Sequence, residues 1–339
     1  MRHALAALAL LAVVPARAEP GMAWEDAGLS AKVSAIEATS RGGFAGGSGA
    51  IAFTEAGPIL VSPCDGSWCM EPVELEPVPA PPAEANGHAP LPDGGLALAA
   101  GGDIEAAWYV APTTRYAHGV LGDAVEAGGL AARTADGALV ALLPETDVHE
   151  DITPRLSDLD GDGRNEIVTL TSSADGGGSL AAWGLRDGTL SLLARTPAIG
   201  QTNRWLNVAA IEDFDGDGVR DVALVETPHI GGELQLWSGA SLLAGEPRLL
   251  ARRRGYSNHA IGSRALDLSE TVTIAGGPAL VLPVADRAAL EMLAFADGAW
   301  RPLARLDLPA RVATDIASVG ADLALGLEDG RLVRVTLSE

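Results

Sequence analysis

The chain has 339 residues, 47% hydrophobic and 20% charged, with 45 acidic against 23 basic side chains and a formal net charge of −22. That length suits one large β domain or two smaller ones, and the apolar content excludes an acidic disordered chain. So negative a field repels nucleic acid and anionic membrane surfaces, so neither is an expected partner.

Met1-Arg2-His3 gives a positive start, Ala4 to Val14 a short apolar run, and Ala16-Arg17-Ala18 an A-x-A cleavage site. Residues 1–18 are therefore expected to be a signal peptide, and 19–339 a single domain. Losing Arg2 and Arg17 would take the net charge from −22 to −24. The apolar run is too short to cross a bilayer, and no later stretch is long and apolar enough for a membrane helix. No cysteine follows the cleavage site to carry a lipid. An exported bacterial protein, periplasmic or extracellular, is the expectation.

Beyond the leader, Ala27 to Ala38 is the one place where a short helix competes. Elsewhere apolar runs of four to six residues end in Gly, Asp or Pro, which is a β rhythm. Cys64 and Cys69, the only cysteines, flank Asp65-Gly66-Ser67-Trp68; in an oxidising compartment they are expected to form a disulfide. From about 71 to 92 the chain carries seven prolines and few strand formers, and reads as an exposed insertion.

Further on, Asp158-Leu159-Asp160-Gly161-Asp162-Gly163-Arg164-Asn165-Glu166 returns as Asp213-Phe214-Asp215-Gly216-Asp217-Gly218-Val219-Arg220-Asp221. Carboxylates stand at positions 1, 3, 5 and 9 and glycines at 4 and 6. Alternate carboxylates closing on one point suit a hard cation with several oxygen ligands, above all Ca²⁺. The carbonyl at position 7, from Arg164 or Val219, would complete the shell. Zinc is disfavoured because neither loop holds His or Cys. An EF-hand needs Glu at position 12, where Thr169 and Leu224 stand, and flanking helices. Here strand formers follow at once, Ile167 to Leu170 and Val222 to Val225. Two Ca²⁺ sites in separate units are expected to bind independently.

Aligning the apolar strand that follows each loop gives seven copies, near Ile51, Leu96, Leu130, Ile167, Val222, Leu280 and Leu323. Their spacing approaches that of a four-stranded propeller blade. The expected fold is all-β: a single β-propeller of four-stranded antiparallel blades, seven preferred and six or eight as alternatives. Closure should pair the chain after Glu19 with strands near Leu332–Leu337. Arg186-Asp187-Gly188-Thr189 reads as a hairpin turn. Trp183 and Trp237 occupy matching places and are expected to pack between blades.

The two acidic loops resemble the FG-GAP/VCBS repeats of integrin-alpha-like β-propellers. In that family the loop binds Ca²⁺ between the inner strands of a blade. The resemblance implies Asp158, Asp160, Asp162 and Glu166, and Asp213, Asp215, Asp217 and Asp221, as side-chain ligands.

A second repeated feature precedes the loops. It comprises Arg115, Tyr116 and His118; Arg155; Arg204, Trp205 and Asn207; and His259 with Arg264. In a propeller these segments lead into the innermost strands, near the central channel. Such cations, imidazoles, amides and aromatic faces suit an anionic or carbohydrate-like ligand. The plainer alternative is a wet channel with Arg paired to Glu150 or Asp151. Arg252-Arg253-Arg254 is too brief for nucleic acid in so acidic a chain, and His229 alone reads as structural. No G-x-S-x-G, H-E-x-x-H, G-x-G-x-x-G before a helix or P-loop occurs. The favoured function is a calcium-binding, monomeric interaction module for a protein or carbohydrate. A hydrolase or lyase on the same scaffold, and a purely structural module, are the alternatives.

Overall fold

The computed structural model describes residues 20–39 and 49–338; the expected signal peptide lies outside them. After β1 (Gly21–Asp26), strands β2 (Val33–Ala38), β3 (Ala50–Thr54), β4 (Gly57–Cys64) and β5 (Ser67–Pro72) form a four-stranded antiparallel meander. The second meander is β6 (Ala97–Leu98), β7 (Ala106–Thr113), β8 (Glu126–Thr134) and β9 (Gly137–Leu142). A connecting strand, β10 (Asp147–His149), pairs with β8 and with β12 of the third meander. That meander is β11 (Arg155–Ser157), β12 (Glu166–Ser173), β13 (Gly177–Arg186) and β14 (Thr189–Arg195), and β10 merges the two into one nine-stranded sheet.

The fourth meander is β15 (Leu206–Glu212), β16 (Asp221–Glu226), β17 (Glu233–Trp237) and β18 (Leu249–Arg254), with helix α1 (Gly239–Leu243) before its last strand. The fifth is β19 (Glu270–Ile274), β20 (Gly277–Pro283), β21 (Ala289–Ala296) and β22 (Ala299–Asp307). Strands β23 (Val312–Val319), β24 (Asp322–Leu327) and β25 (Leu332–Ser338) take β1 as their fourth member, Gly21 facing Ser338 and Asp26 facing Val333. The expected pairing of early and late chain is therefore present, and it covers what would be the open edge of β25.

Two of the seven strand alignments, Leu96 and Leu130, fall in a single meander on either side of β7. The other five each fall in the second strand of a meander. The loop before β7 lacks the acidic ladder that precedes β12 and β16, so nothing in the spacing marks these two alignments as one unit. No helix competes at Ala27 to Ala38: Val33–Ala38 forms β2, and a register shift between Val33 and Ala35 on β3 lets Val33 and Ile36, three residues apart, both be buried.

From the second meander to β23–β25, and from there to the first meander, neighbours face one another across apolar layers, which is where the core sits. Tyr109, Leu130, Ile167 and Trp183 fill the layer between the second and third meanders. Leu170, Leu180, Leu224 and Trp237 fill the next, then Leu234, Leu280 and Trp300. Val281, Met292, Leu325 and Val335 follow, and Ile36, Val61, Ala317 and Leu332 lie between the first meander and β23–β25. Strands between two such layers are buried on both faces, so their sequences run apolar without alternation. Trp183 faces Ile167 and Trp237 faces Val222 in the same register. Their indoles donate to Thr169 Oγ1 and Gln235 Oε1, which satisfies the polar edge of each buried ring.

The proline-rich stretch is exposed for most of its length, but its second half is anchored. Ala85 and Leu91 are buried, Pro90 bridges to Val110, and Ala85 packs with Trp108, Val110 and Ala131. The apolar residues between the prolines thus strap the stretch onto β7 and β8. Cys64 and Cys69 form a disulfide across the β4–β5 hairpin.

Candidate metal centre

Each acidic loop joins the first strand of a meander to its second: 158–165 joins β11 to β12, and 213–220 joins β15 to β16. Gly161 and Gly163 have φ of +73° and +86°, and Gly216 and Gly218 +78° and +89°. L side chains avoid that region, so only glycine lets the chain turn this tightly here. Amide donors organise the carboxylates. Asp158 accepts from Gly161 at 2.8 Å and from Gly163 at 3.0 Å; Asp213 accepts from Gly216 and Gly218 at the same distances. Asp160 accepts from Asp162 and Asp162 from Arg164; Asp215 accepts from Asp217 and Asp217 from Val219. The two loops therefore have one conformation.

Oxygens of Asp158, Asp160 and Asp162 lie within 4.8 Å of one another, as do those of Asp213, Asp215 and Asp221. The first group uses positions 1, 3 and 5, the second 1, 3 and 9. Glu166 and Asp221 close the loops from the buried side, at 5% and 0% exposure. Burial pushes Glu166 up to about 7, with the charges of Asp160, Asp162 and Asp158 adding to the rise against the Leu159 amide. Asp221 is likewise pushed up to about 7, by burial first, while the Gly239 amide opposes Asp215 and Asp217. Its Oδ1 accepts from Gly239 at 3.2 Å, whereas Oδ2 is buried without a hydrogen-bond partner. A buried carboxylate oxygen with nothing to accept from fits a cation. An all-oxygen donor set fits Ca²⁺.

The other predicted residues divide into groups. Tyr116, His118, Trp205 and His259 come together with Glu150, Ser172 and His229, at the ends of strands opposite the acidic loops. His118 Nδ1 lies 2.5 Å from Glu150 Oε1, and Ser172 donates to Glu150 Oε2. Trp205 donates to the Glu150 carbonyl at 2.8 Å and stacks on His229, interplanar angle 9°. His259 Nε2 lies 3.0 Å from the Ser263 carbonyl, which only accepts, so Nδ1 is left to accept from His229 Nε2 at 2.8 Å. Burial lowers both imidazoles to about 4, so they are neutral at pH 7. Tyr116 accepts the Asn203 amide, and Arg204 donates to the Asn203 carbonyl beside it.

The rest serve the framework. Arg155 pairs with the buried Asp151, which Tyr109 also contacts. Arg115 donates to the Asp147 carbonyl, and Arg264 pairs with Asp93 and Asp123. Asn207 bridges the carbonyls of Asn258 and Leu266. A cavity of about 620 Å³ runs along β11, β15 and β19, lined by Arg155, Ser157, Glu212, Arg220, Asp267 and Glu270. Sequence reasoning missed Glu150 as the partner of His118 and Ser172 as the donor to Glu150, and read His229 as a lone histidine. The pairing of His229 with His259 spans 30 residues, and no motif spacing announces it.

Residues 158–224 match the protein-family model described as an FG-GAP-like repeat, a span that covers both acidic loops and strands β12 to β15 between them. No curated protein matches the chain.

Proposed function

The chain carries an FG-GAP-like repeat at residues 158–224, and on that premise we propose that it is a calcium-stabilised β-propeller acting as an interaction module. One observation carries the metal reading: two loops of identical hydrogen bonding, each closed by a buried carboxylate, the second with an orphaned oxygen at Asp221. Asp158, Asp160, Asp162 and Glu166 would hold one ion, and Asp213, Asp215, Asp217 and Asp221 the other. Arg164 and Val219 would add carbonyls. The ion supplies charge compensation; the chain supplies the preformed oxygen shell. Six meanders, packed in succession from the second to the sixth and from there onto the first, with β1 on β25, support a six-bladed ring.

The rim of the Tyr116–His118–Trp205–His259 cluster is the proposed contact for a protein or carbohydrate partner: His118, Arg204 and His229 are part-exposed there, over the buried Tyr116, Trp205, His259 and Glu150. Export is the proposed location, supported by the leader motif and the disulfide.

Thermal melts test the metal reading. Calcium binds only the folded loop, so a hundredfold excess over Kd should stabilise by about 2.7 kcal/mol per site. A chelator should lower Tm, and Asp160→Ala and Asp215→Ala should each remove part of the calcium response. A wild-type Tm indifferent to chelator and calcium would make the loops simple acidic turns. A glycan array probed with the mature protein, and again with His118→Ala, tests the contact surface.

A further inference from the structure

The two acidic loops touch. Arg220, at position 8 of the second loop, donates its amide to the Leu159 carbonyl of the first at 2.8 Å. Its guanidinium donates to Ser157 Oγ at 3.1 Å, one residue before Asp158. Leu159 stands between Asp158 and Asp160, and its own amide donates to Glu166 Oε2 at 3.1 Å. The peptides around Leu159 are thus held by the closing carboxylate of its own loop on one side and by the second loop on the other.

Arg220 is itself fixed from behind. It directly precedes Asp221, whose Oδ1 accepts the Gly239 amide. The Arg220 carbonyl packs so closely on Gly239 that a Cβ there would sit 1.9 Å from it. Whatever orders Asp221 therefore orders Arg220. The same position acts the same way one meander back. Asn165, position 8 of the first loop, donates its amide to Asp103 at 2.8 Å and its side chain to the Ile104 carbonyl at 2.8 Å. The loops are linked head to tail, in a direction set by the meander order.

We propose that Arg220 is a positioning residue for the first loop, and that the two metal loops bind Ca²⁺ with positive cooperativity through the Arg220–Leu159 contact. The proposal rests on the calcium reading above and replaces the expectation of independent sites. An ion in the second loop orders Asp221 and Arg220, which holds the Leu159 peptide between two ligands of the first. The first ion then meets a loop that has less conformational freedom left to lose. By linkage, the first ion favours the second by the same factor.

Calorimetric titration of the whole protein with Ca²⁺ tests this. Asp160→Asn leaves the second loop to report its single-site constant, and Asp215→Asn leaves the first. The overall wild-type binding constant should exceed the product of the two by about fivefold or more. Equality of the two quantities overturns the coupling while leaving both calcium sites standing. A wild-type protein that takes up no calcium overturns the calcium reading, and this inference with it. Where either variant alters the metal-free melting curve, Asp162→Asn and Asp217→Asn, exposed members of the same loops, give the same comparison.

Discussion

At the scale of single residues, buried carboxyls set the pH response. Glu126, 3% exposed at the start of β8, is pushed up to about 9 by burial, with Glu150, Asp123, Asp151 and Asp93 adding to the rise. In the unfolded chain it titrates near 4.5, the ordinary value for a glutamate. Between those values the folded state holds the extra proton, so this group's stabilising contribution is complete below about 4.5 and is lost as pH rises toward 9. Glu126→Gln keeps a neutral side chain at every pH. Its Tm should match wild type in acid and exceed it in mild alkali by about 2–4 °C. Parallel melting curves across the pH range, with a constant offset, would show that Glu126 does not hold that proton.

At the scale of elements, close backbone approaches replace side-chain bulk. Gly239 opens α1 against the Arg220 carbonyl, where there is no room for a Cβ. Gly239→Ala should cost about 1–3 kcal/mol by overpacking and weaken calcium binding at the second loop more than at the first. Equal loss at both loops would make the effect a general loosening. In the β13–β14 hairpin, Asp187 and Gly188 have φ of +50° and +76°, and Asp297 and Gly298 repeat this between β21 and β22. Both residues of each Asp-Gly turn take positive φ, as two-residue hairpins of matching twist require. The β4–β5 hairpin is tied by Cys64 and Cys69, five residues apart. Closing so short a loop should contribute only about 2 kcal/mol. Thiol titration of the unfolded, unreduced protein should find no free thiol.

At the scale of the whole molecule, one pairing joins the ends of the described chain. β1 lies on β25 over six residue pairs, and Met22 and Trp24 pack on the layer formed by Val335 and Leu325. A chain shortened to begin at Ala27 would leave β25 as an open edge, ready to pair with other chains. It should lose more than about 4 kcal/mol, beyond the usual range of a point mutation, and associate as concentration rises. A shortened chain that stays monomeric with an unchanged Tm would show that β1 does not close the structure.

What the sequence determined by itself is what short-range chemistry controls. The acidic loops were legible because their carboxylates, glycines and following strand lie within about twelve residues of one another, so spacing along the chain is spacing in space. The same holds for the Asp-Gly turns, the disulfide and the β rhythm. The partial match at 158–224 falls on that legible stretch. The number of repeating units was less legible, because the 99–105 connection, lying where the third and fourth meanders carry their loops, has no acidic ladder to mark it. Only the tertiary structure decided which polar groups meet across meanders. Glu150 chose His118 rather than an arginine, His229 found His259, and Arg220 reached Leu159, 61 residues away in sequence. These contacts depend on how neighbouring sheets twist and pack against one another. That geometry is set by the summed fit of buried side chains such as Trp205, Leu224 and Trp237, and no local pattern of residues encodes it.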